Sequence, residues 1–473
     1  MVPASVGRRV TSTLTPPRPR VGAVAPSARR LRAVEHARLV GFAAAVGLVV
    51  TLGMWLRHGQ LGSLHGPGGV PTAIGQLAAL TGTYAVLLQL LLMSRLAWLE
   101  DAIGLDRLAV WHRWLGFTVV WLLGAHVVFT TIGWAAGSIP PVSALHETGW
   151  LISHGPDILM AWVGFVLFLA VAITSVRIAR RKLTREAWYF VHLYAYLAIA
   201  LSFAHQLAMG SDFNNDRAAR VWWVSLYVLV FGAILMERVV KPIRFNLRHQ
   251  MRVDRVWHEP PDVVSVVVQG RGLAHVDAQP GQFFIWRFLT PRGWWQPHPF
   301  SLSAAPARGR IRITVKNLGD GFAEIEHLKR GTRVFAEGPY GTFTADRRTQ
   351  RGLLLVAGGI GITPLRAMLD SLPPHDDVVV CYRVATPEEA LFTEELRQFA
   401  TTRGVQVHII PGTEIGNDQT DKLGMPALRQ NVPDIRHRDC FVCGPPAMIE
   451  AVCRRLRRLG VPREQIHYER FEL

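Results

Sequence analysis

Cysteine is scarce in this chain. There are four in 473 residues, Cys381, Cys440, Cys443 and Cys453, all in the C-terminal third. So few thiols exclude a disulfide framework and fit a reducing compartment for that part. Only Cys440 and Cys443 share a CxxC spacing, and no second pair completes a zinc or iron–sulfur site. Acidic residues are also in short supply, 35 against 52 Lys and Arg, for a formal net charge of +17. The surplus collects in the N-terminal tail (Arg8, Arg9, Arg18, Arg20, Arg29, Arg30, Arg32) and in short segments beside apolar runs. Membrane orientation explains that placement better than nucleic-acid binding does, so no nucleic-acid partner is expected. Internal repeats, a catalytic triad and an evident protein nucleophile are missing too.

What is abundant is apolar sequence, 49% of the chain, concentrated between residues 39 and 240. Six segments stand out, at about 39–56, 74–98, 109–134, 157–178, 188–208 and 219–240. Each has roughly the 20 residues that a helix needs to cross about 30 Å of hydrocarbon. Residues 1–37 are rich in Pro, Arg, Ser and Ala and read as a disordered basic tail. The 177–185 loop carries Arg177, Arg180, Arg181, Lys182 and Arg185, and Arg238, Lys241, Arg244 and Arg248 follow the last span. Loops 57–73, 135–154 and 209–218 are nearly free of positive charge. The positive-inside rule then expects the tail and the C-terminal half in the cytoplasm of a multi-pass cell-membrane protein in contact with lipid.

After residue 248 the texture changes. Short β-branched or alternating runs (Val263–Val268, Phe283–Phe288, Ile311–Val315) separated by turn residues predict a small antiparallel barrel. From about 351, apolar strands alternate with Gly-rich turns and helices, which predicts a parallel sheet with crossover helices. The expected domains are 1–37 tail, 38–240 six-helix bundle, 241–347 β-barrel and 348–473 α/β.

Four histidines lie inside spans: His112 and His126, fourteen apart, and His192 and His205, thirteen apart. One ionisable residue in a span is costly and marks a site by default. A lone histidine there is more often a hydrogen bond to a neighbouring helix; two matched pairs point to ligation. At about 1.5 Å rise per residue, each pair is separated by roughly 20 Å along its helix. Two such helices can clamp two flat cofactors at two levels, each iron held by two neutral imidazoles. Fourteen residues return to within about 40° of one face, but thirteen miss by about 140°. The fifth span is therefore expected to bend, twist or hold its cofactors on different sides.

The stretches WHRWLG at 111–116 and HLYAYLA at 192–198, with this histidine spacing, resemble the ferric reductase-like transmembrane domain of ferric reductases and NADPH oxidases. The resemblance covers all six spans. It implies two b-type haems, held by His112 with His192 on the cytoplasmic side and by His126 with His205 on the outer side.

HPFSLS at 298–303 offers Phe300 as a flat wall for a flavin ring and Ser301 as a hydrogen-bond partner, with His298 and Pro299 alongside. It resembles the RxYS motif of the ferredoxin–NADP reductase family, with His298 in place of Arg and Phe300 in place of Tyr. VKNLGDGFA at 315–323 provides Gly319 and Gly321 for close approach to a diphosphate, and GPYGTF begins at Gly338. Any one of these turns alone is a generic hairpin; their order and spacing point to FAD. GGIGITP contributes Gly358, Gly359, Gly361 and Thr363, and CGPPAM contributes Cys443, Gly444 and Pro445, each turn following an apolar strand. The resemblance sets Cys443 beside a nicotinamide, although a small buried residue in the sheet would look the same. It also makes Phe471, near the C-terminus, the aromatic that covers the flavin. Arg383 is a candidate for a 2′-phosphate, while Glu414 leans toward NADH, so NADPH or NADH is the expected donor.

The resemblance as a whole implies an oxidoreductase that moves electrons from NAD(P)H through FAD and two haems to a small acceptor outside, oxygen or a ferric chelate. No obligatory protein partner is evident. Arg57, His58, His146 and His154 are candidates to line an acceptor pocket, against the plainer reading of solvated loop residues. The alternative is a haem-containing cytochrome subunit or sensor that donates to a periplasmic protein or quinone.

Overall fold

The computed structural model describes residues 24–25, 27–57, 62–155, 157–176, 182–210, 213, 216–259, 262–317, 322–413 and 416–470. Phe471, Gly319, Gly321, Glu414, His58, Arg177, Arg180, Arg181 and most of the tail lie outside them. The chain forms two compact units, one built on residues 28–247 and one on residues 248–339 and 343–473.

Among its described residues the first unit holds six helices long and apolar enough to cross a membrane. They are α1 (Ala28–Arg57), α2 (Gly69–Leu92), α4 (Leu105–Gly137), α6 (Ile158–Ser175), α7 (Arg185–Met209) and α8 (Arg217–Leu235). α1 begins at Ala28, so the last part of the expected tail is helix. α8 runs on through a π-helical turn at Met236–Val240 into α9 (Lys241–His249), so the β-rich unit starts at about Arg248 rather than 241. Two short helices arise where loops were expected: α3 (Ala97–Ile103) and α5 (Ala144–His154), the latter capped by the Ser143 hydroxyl accepting from the His146 N–H at 3.2 Å.

α2 lies along α4, and α6 along α7. Small residues permit this, as packing between lipid-embedded helices requires. A side chain at Gly75 would lie 2.7 Å from the Thr130 amide nitrogen, and one at Gly164 would lie 2.8 Å from the Ala198 carbonyl. The buried centre includes Leu87, Val119, Ile199, Trp223 and Tyr227.

In the second unit, β1 (Arg252–Glu259), β2 (Val263–Gln269) and β5 (Arg310–Lys316) form one three-stranded sheet. β3 (Phe283–Phe288), β4 (His298–Ser301) and β6 (Val334–Tyr340) form another. The two meet through single residue bridges, Leu302 with Ile313 and Arg252 with Arg333. The expected barrel is therefore split and not closed. Its short strands explain this: β4 has four residues, one of them Pro299, which has no N–H to extend a ladder. A five-residue helix, α10 (Phe322–Glu326), follows β5.

The α/β part matches the expectation of a parallel sheet. Its strands are β7 (Gly352–Gly358), β8 (Val378–Val384), β9 (Gln406–Pro411), β10 (Arg438–Gly444) and β11 (Ile466–Arg470), in the spatial order β11-β10-β7-β8-β9. The crossovers include α11 (Ile362–Ser371), α12 (Thr393–Arg403), α13 (Met425–Asn431) and α14 (Pro446–Arg458). Strands β7, β8 and β10 are buried along their whole length, as sheets covered on both faces are. The winding reverses between β7 and β10, which makes their carboxyl ends the topological switch point.

Candidate functional site

In the first unit, α4 carries His112 and His126, and α7 carries His192 and His205. The rings of His112 and His192 face one another with centroids 6.1 Å apart. Two imidazoles bound to one metal through bonds of about 2 Å put their ring centres roughly this far apart. His126 and His205 line a single, mainly apolar cavity of about 230 Å3, with Leu80, Leu123, Phe165 and Phe168 among its walls. α7 is one unbroken helix from Arg185 to Met209, so no break in it accommodates the thirteen-residue spacing.

The two helices treat their histidines differently. Nδ1 of His112 lies 3.2 Å from the Gln89 carbonyl, and Nδ1 of His126 lies 3.1 Å from the Gly75 carbonyl, both on α2. An Nδ1–H donated to a carbonyl leaves Nε2 as the lone-pair nitrogen that a metal takes. By contrast, the buried Nδ1 atoms of His192 and His205 find no hydrogen-bond partner among the described residues. Buried polar nitrogens are normally satisfied, so these two mark the face of α7 where something is expected to bind.

Beyond this cavity lies a second, of about 550 Å3, which shares Trp134, Leu151 and Met209 with it. Its walls include Gly68, Thr72, Gly133, Ser138, Glu147 and His154. Of the described residues named for an acceptor pocket, only His154 lines it. Arg57 is ion-paired with Asp216, and among the described residues His146 does not reach it. Sequence reasoning missed Glu147, a buried carboxylate 3.5 Å from the Ser138 hydroxyl. It is the one charged side chain between residues 135 and 154, which was a usable signal. It also missed Gln206, whose amide oxygen accepts from Trp223 Nε1 and the Tyr227 hydroxyl, each at 2.9 Å, at the cavity wall.

In the second unit, β4 sets Phe300 opposite Phe284, with His298 stacked on Phe300 at 5.7 Å and nearly parallel. Phe300 is half-exposed, available as a flat wall, and Ser301 beside it is buried. Gly338 adopts φ +144°, and a side chain there would strike the Phe284 ring at 2.7 Å. Only glycine lets β6 close on this site.

At the switch point the two glycine turns touch. A side chain on Gly361 would lie 2.3 Å from the Cys443 carbonyl, and one on Gly444 would lie 3.0 Å from the Gly358 backbone. Thr363 is buried, with its hydroxyl donating to the Ile360 carbonyl at 3.0 Å, so it shapes the turn from within. Pro445 caps the start of α14, and Gly359 has φ +52° with open space beside it. Cys443 is fully buried, and burial pushes its thiol well up. Cys440 and Cys443 belong to cores on opposite faces of the sheet, so the CxxC spacing brings no thiol pair together. Arg383 is buried and ion-paired with Asp421.

Residues 78–203 match the family described as Ferric reductase like transmembrane component, 248–344 match FAD-binding domain, and 355–454 match Oxidoreductase NAD-binding domain. Together these are the domain set of the ferric reductase and NADPH oxidase family. The chain is 27% identical over 222 residues to NADH oxidoreductase HCR of Escherichia coli, covering 45% of this chain and 66% of that protein. It is 31% identical over 218 residues to the flavohemoprotein of Vibrio cholerae, covering 44% of this chain and 54% of that protein. It thus spans about two thirds or less of the length of these curated relatives. Among solved structures, the FAD/NAD binding domain of nitric oxide dioxygenase from Vibrio cholerae is 26% identical, with a TM-score of 0.41, covering 47% of this chain and 98% of that one.

Proposed function

We propose that this chain, a ferric reductase-like transmembrane component joined to an FAD-binding and an NAD-binding domain, is a transmembrane oxidoreductase. It takes electrons from cytoplasmic NAD(P)H and delivers them to oxygen or a ferric chelate on the other side of the cell membrane. The observation that carries the reading is the pairing of histidines: His112 faces His192, and His126 shares a cavity with His205. These residues fit two bis-histidine haems, because each pair offers one imidazole fixed by a carbonyl and one whose buried nitrogen lacks a partner among the described residues. When bound, FAD would supply the change from hydride to single-electron chemistry and haem iron would supply single-electron relay, with His112, His192, His126 and His205 holding the iron.

The protein's part is positioning. The Gln89 and Gly75 carbonyls set the tautomers of His112 and His126. Phe300 provides the wall and Ser301 the polar edge of the flavin site. The turn at Gly358–Gly361, packed against Cys443 and Gly444, offers backbone N–H groups to a diphosphate at the switch point. The outer cavity with Glu147 and His154 gives a small acceptor a place beside the His126/His205 pair. Charge placement supports the orientation, with Arg238, Lys241 and Arg244 at the end of the last span that leads to the nucleotide-binding half.

The test is an absorbance spectrum of purified membranes given NADH or NADPH. Prompt reduced b-type haem bands are expected, and their absence with intact flavin would remove the relay. His112→Ala or His192→Ala should lower haem content by one of two, and His126→Ala or His205→Ala by the other. His126→Ala should also stop reduction of a membrane-impermeant acceptor added outside while the inner haem is still reduced. Undiminished external reduction in that variant would place the exit at the flavin instead.

A further inference from the structure

Arg383 is the penultimate residue of β8 and pairs in register with Gly358, the first glycine of the turn at the switch point. In open parallel sheets of this kind, an acidic residue near this level accepts from the adenosine 2′-hydroxyl, or an arginine receives a 2′-phosphate. An arginine performs the second task only with its guanidinium edge turned to the ligand. Here the Arg383 side chain is 8% exposed and donates to Asp421, whose carboxylate is fully buried. Asp421 also accepts from Arg455 Nη1 at 2.6 Å and from the Leu423 N–H at 2.9 Å. Arg455 is anchored further, to Asp418 at 2.7 Å and the Gly416 carbonyl at 2.8 Å. Arg458 reaches Asp418 as well, at 3.4 Å from the exposed side, but the Arg383 guanidinium itself is committed to the buried Asp421 carboxylate and turned from solvent. Turning Arg383 outward would leave a buried carboxylate short of one ion partner, an arrangement proteins strongly disfavour.

We propose that Asp421 sets dinucleotide choice in this chain: by holding Arg383 inside the sheet it withholds that guanidinium from an adenosine 2′-phosphate, and the donor is NADH. This rests on the reading of the C-terminal module as a nicotinamide dinucleotide site and sharpens it.

The experiment measures binding, independent of turnover, on the full-length flavin-loaded chain in detergent. Calorimetry compares NAD+ with NADP+, and AMP with adenosine 2′,5′-bisphosphate. The unphosphorylated ligand of each pair is expected to bind about tenfold more tightly or better, the worth of one charged hydrogen bond. Asp421→Asn keeps the shape and removes the charge. It is expected to raise affinity for the two phosphorylated ligands about tenfold, and adding Arg383→Gln should cancel that gain. Arg383→Gln alone should leave the preference where the unaltered protein has it. Equal affinity for NAD+ and NADP+ in the unaltered protein, or a selective tenfold loss of NADP+ in Arg383→Gln, overturns the proposal. If Asp421→Asn fails to fold, judged by flavin content and circular dichroism, those two measurements decide the question alone. If no ligand of either pair binds, the dinucleotide reading of the module falls, and the assignment of Asp421 with it.

Discussion

Cys443 shows how much one residue's surroundings decide. An exposed thiol titrates at about 8.5 and is alkylated at mildly alkaline pH. The buried thiol of Cys443 is held well above that, so it stays protonated where an exposed one ionises. Native protein at pH 8 should resist iodoacetamide at Cys443, and unfolded protein should not; peptide mass spectrometry reads the difference. Labelling of the native protein at the rate of a free thiol would contradict the burial described here. Cys443 thus packs, with a neutral thiol, beside the two glycine turns. The same caution applies to Thr363, which the motif suggests as a ligand and the fold uses to brace its own turn.

At the level of elements, the split β module and the parallel sheet are joined by ion pairs. Arg312 on β5 grips Glu395 on α12 through both carboxylate oxygens, at 2.7 and 3.0 Å, and Arg366 on α11 donates to Glu395 and to Asp370. Burial works to raise the Glu395 carboxyl, but Arg312 and Arg366 outweigh it and the net direction is down. A depressed carboxylate contributes stability above its unfolded pKa and loses it as pH falls through the lower folded value. The melting temperature should therefore hold near neutrality and drop as pH falls below about 4. Glu395→Gln should cost about 1–3 kcal/mol at pH 7 and flatten that acid limb. An unchanged melting curve in the variant would show that the pairs are decorative. These long-range pairs were not legible in the sequence, because Arg312 and Glu395 lie 83 residues apart and periodicity speaks only of near neighbours. The spans, the parallel strands and the glycine turns were legible, since each is written locally as a hydrophobic run or a turn residue. Barrel closure was misjudged for the opposite reason. The alternating runs are all present, but whether six strands close depends on backbone donors that Pro299 removes.

At the scale of the whole molecule, the described residues form a core among the helices of residues 28–247 and, separately, cores on the two faces of the five-stranded sheet. Residues from about 245 to 473, expressed alone, are expected to be soluble, to bind FAD and to pass electrons from NAD(P)H to ferricyanide. A folded fragment without flavin would sink the FAD assignment. The two histidine helices carry a consequence for how the finished protein is put together. If haems bind as proposed, the α4 rings would be aimed before they arrive, because carbonyls of α2 hold His112 and His126; the Nδ1 atoms of His192 and His205 on α7 have no such partner among the described residues. Assembly then resembles a socket with one jaw fixed and one loose, and the jaws should fail differently. Loss of the loose jaw in His192→Ala or His205→Ala should lower haem content yet let haem supplied together with imidazole reseat in low-spin form, because the fixed ring would still be aimed at it. Loss of the fixed jaw in His112→Ala or His126→Ala should leave no haem seated for imidazole to repair.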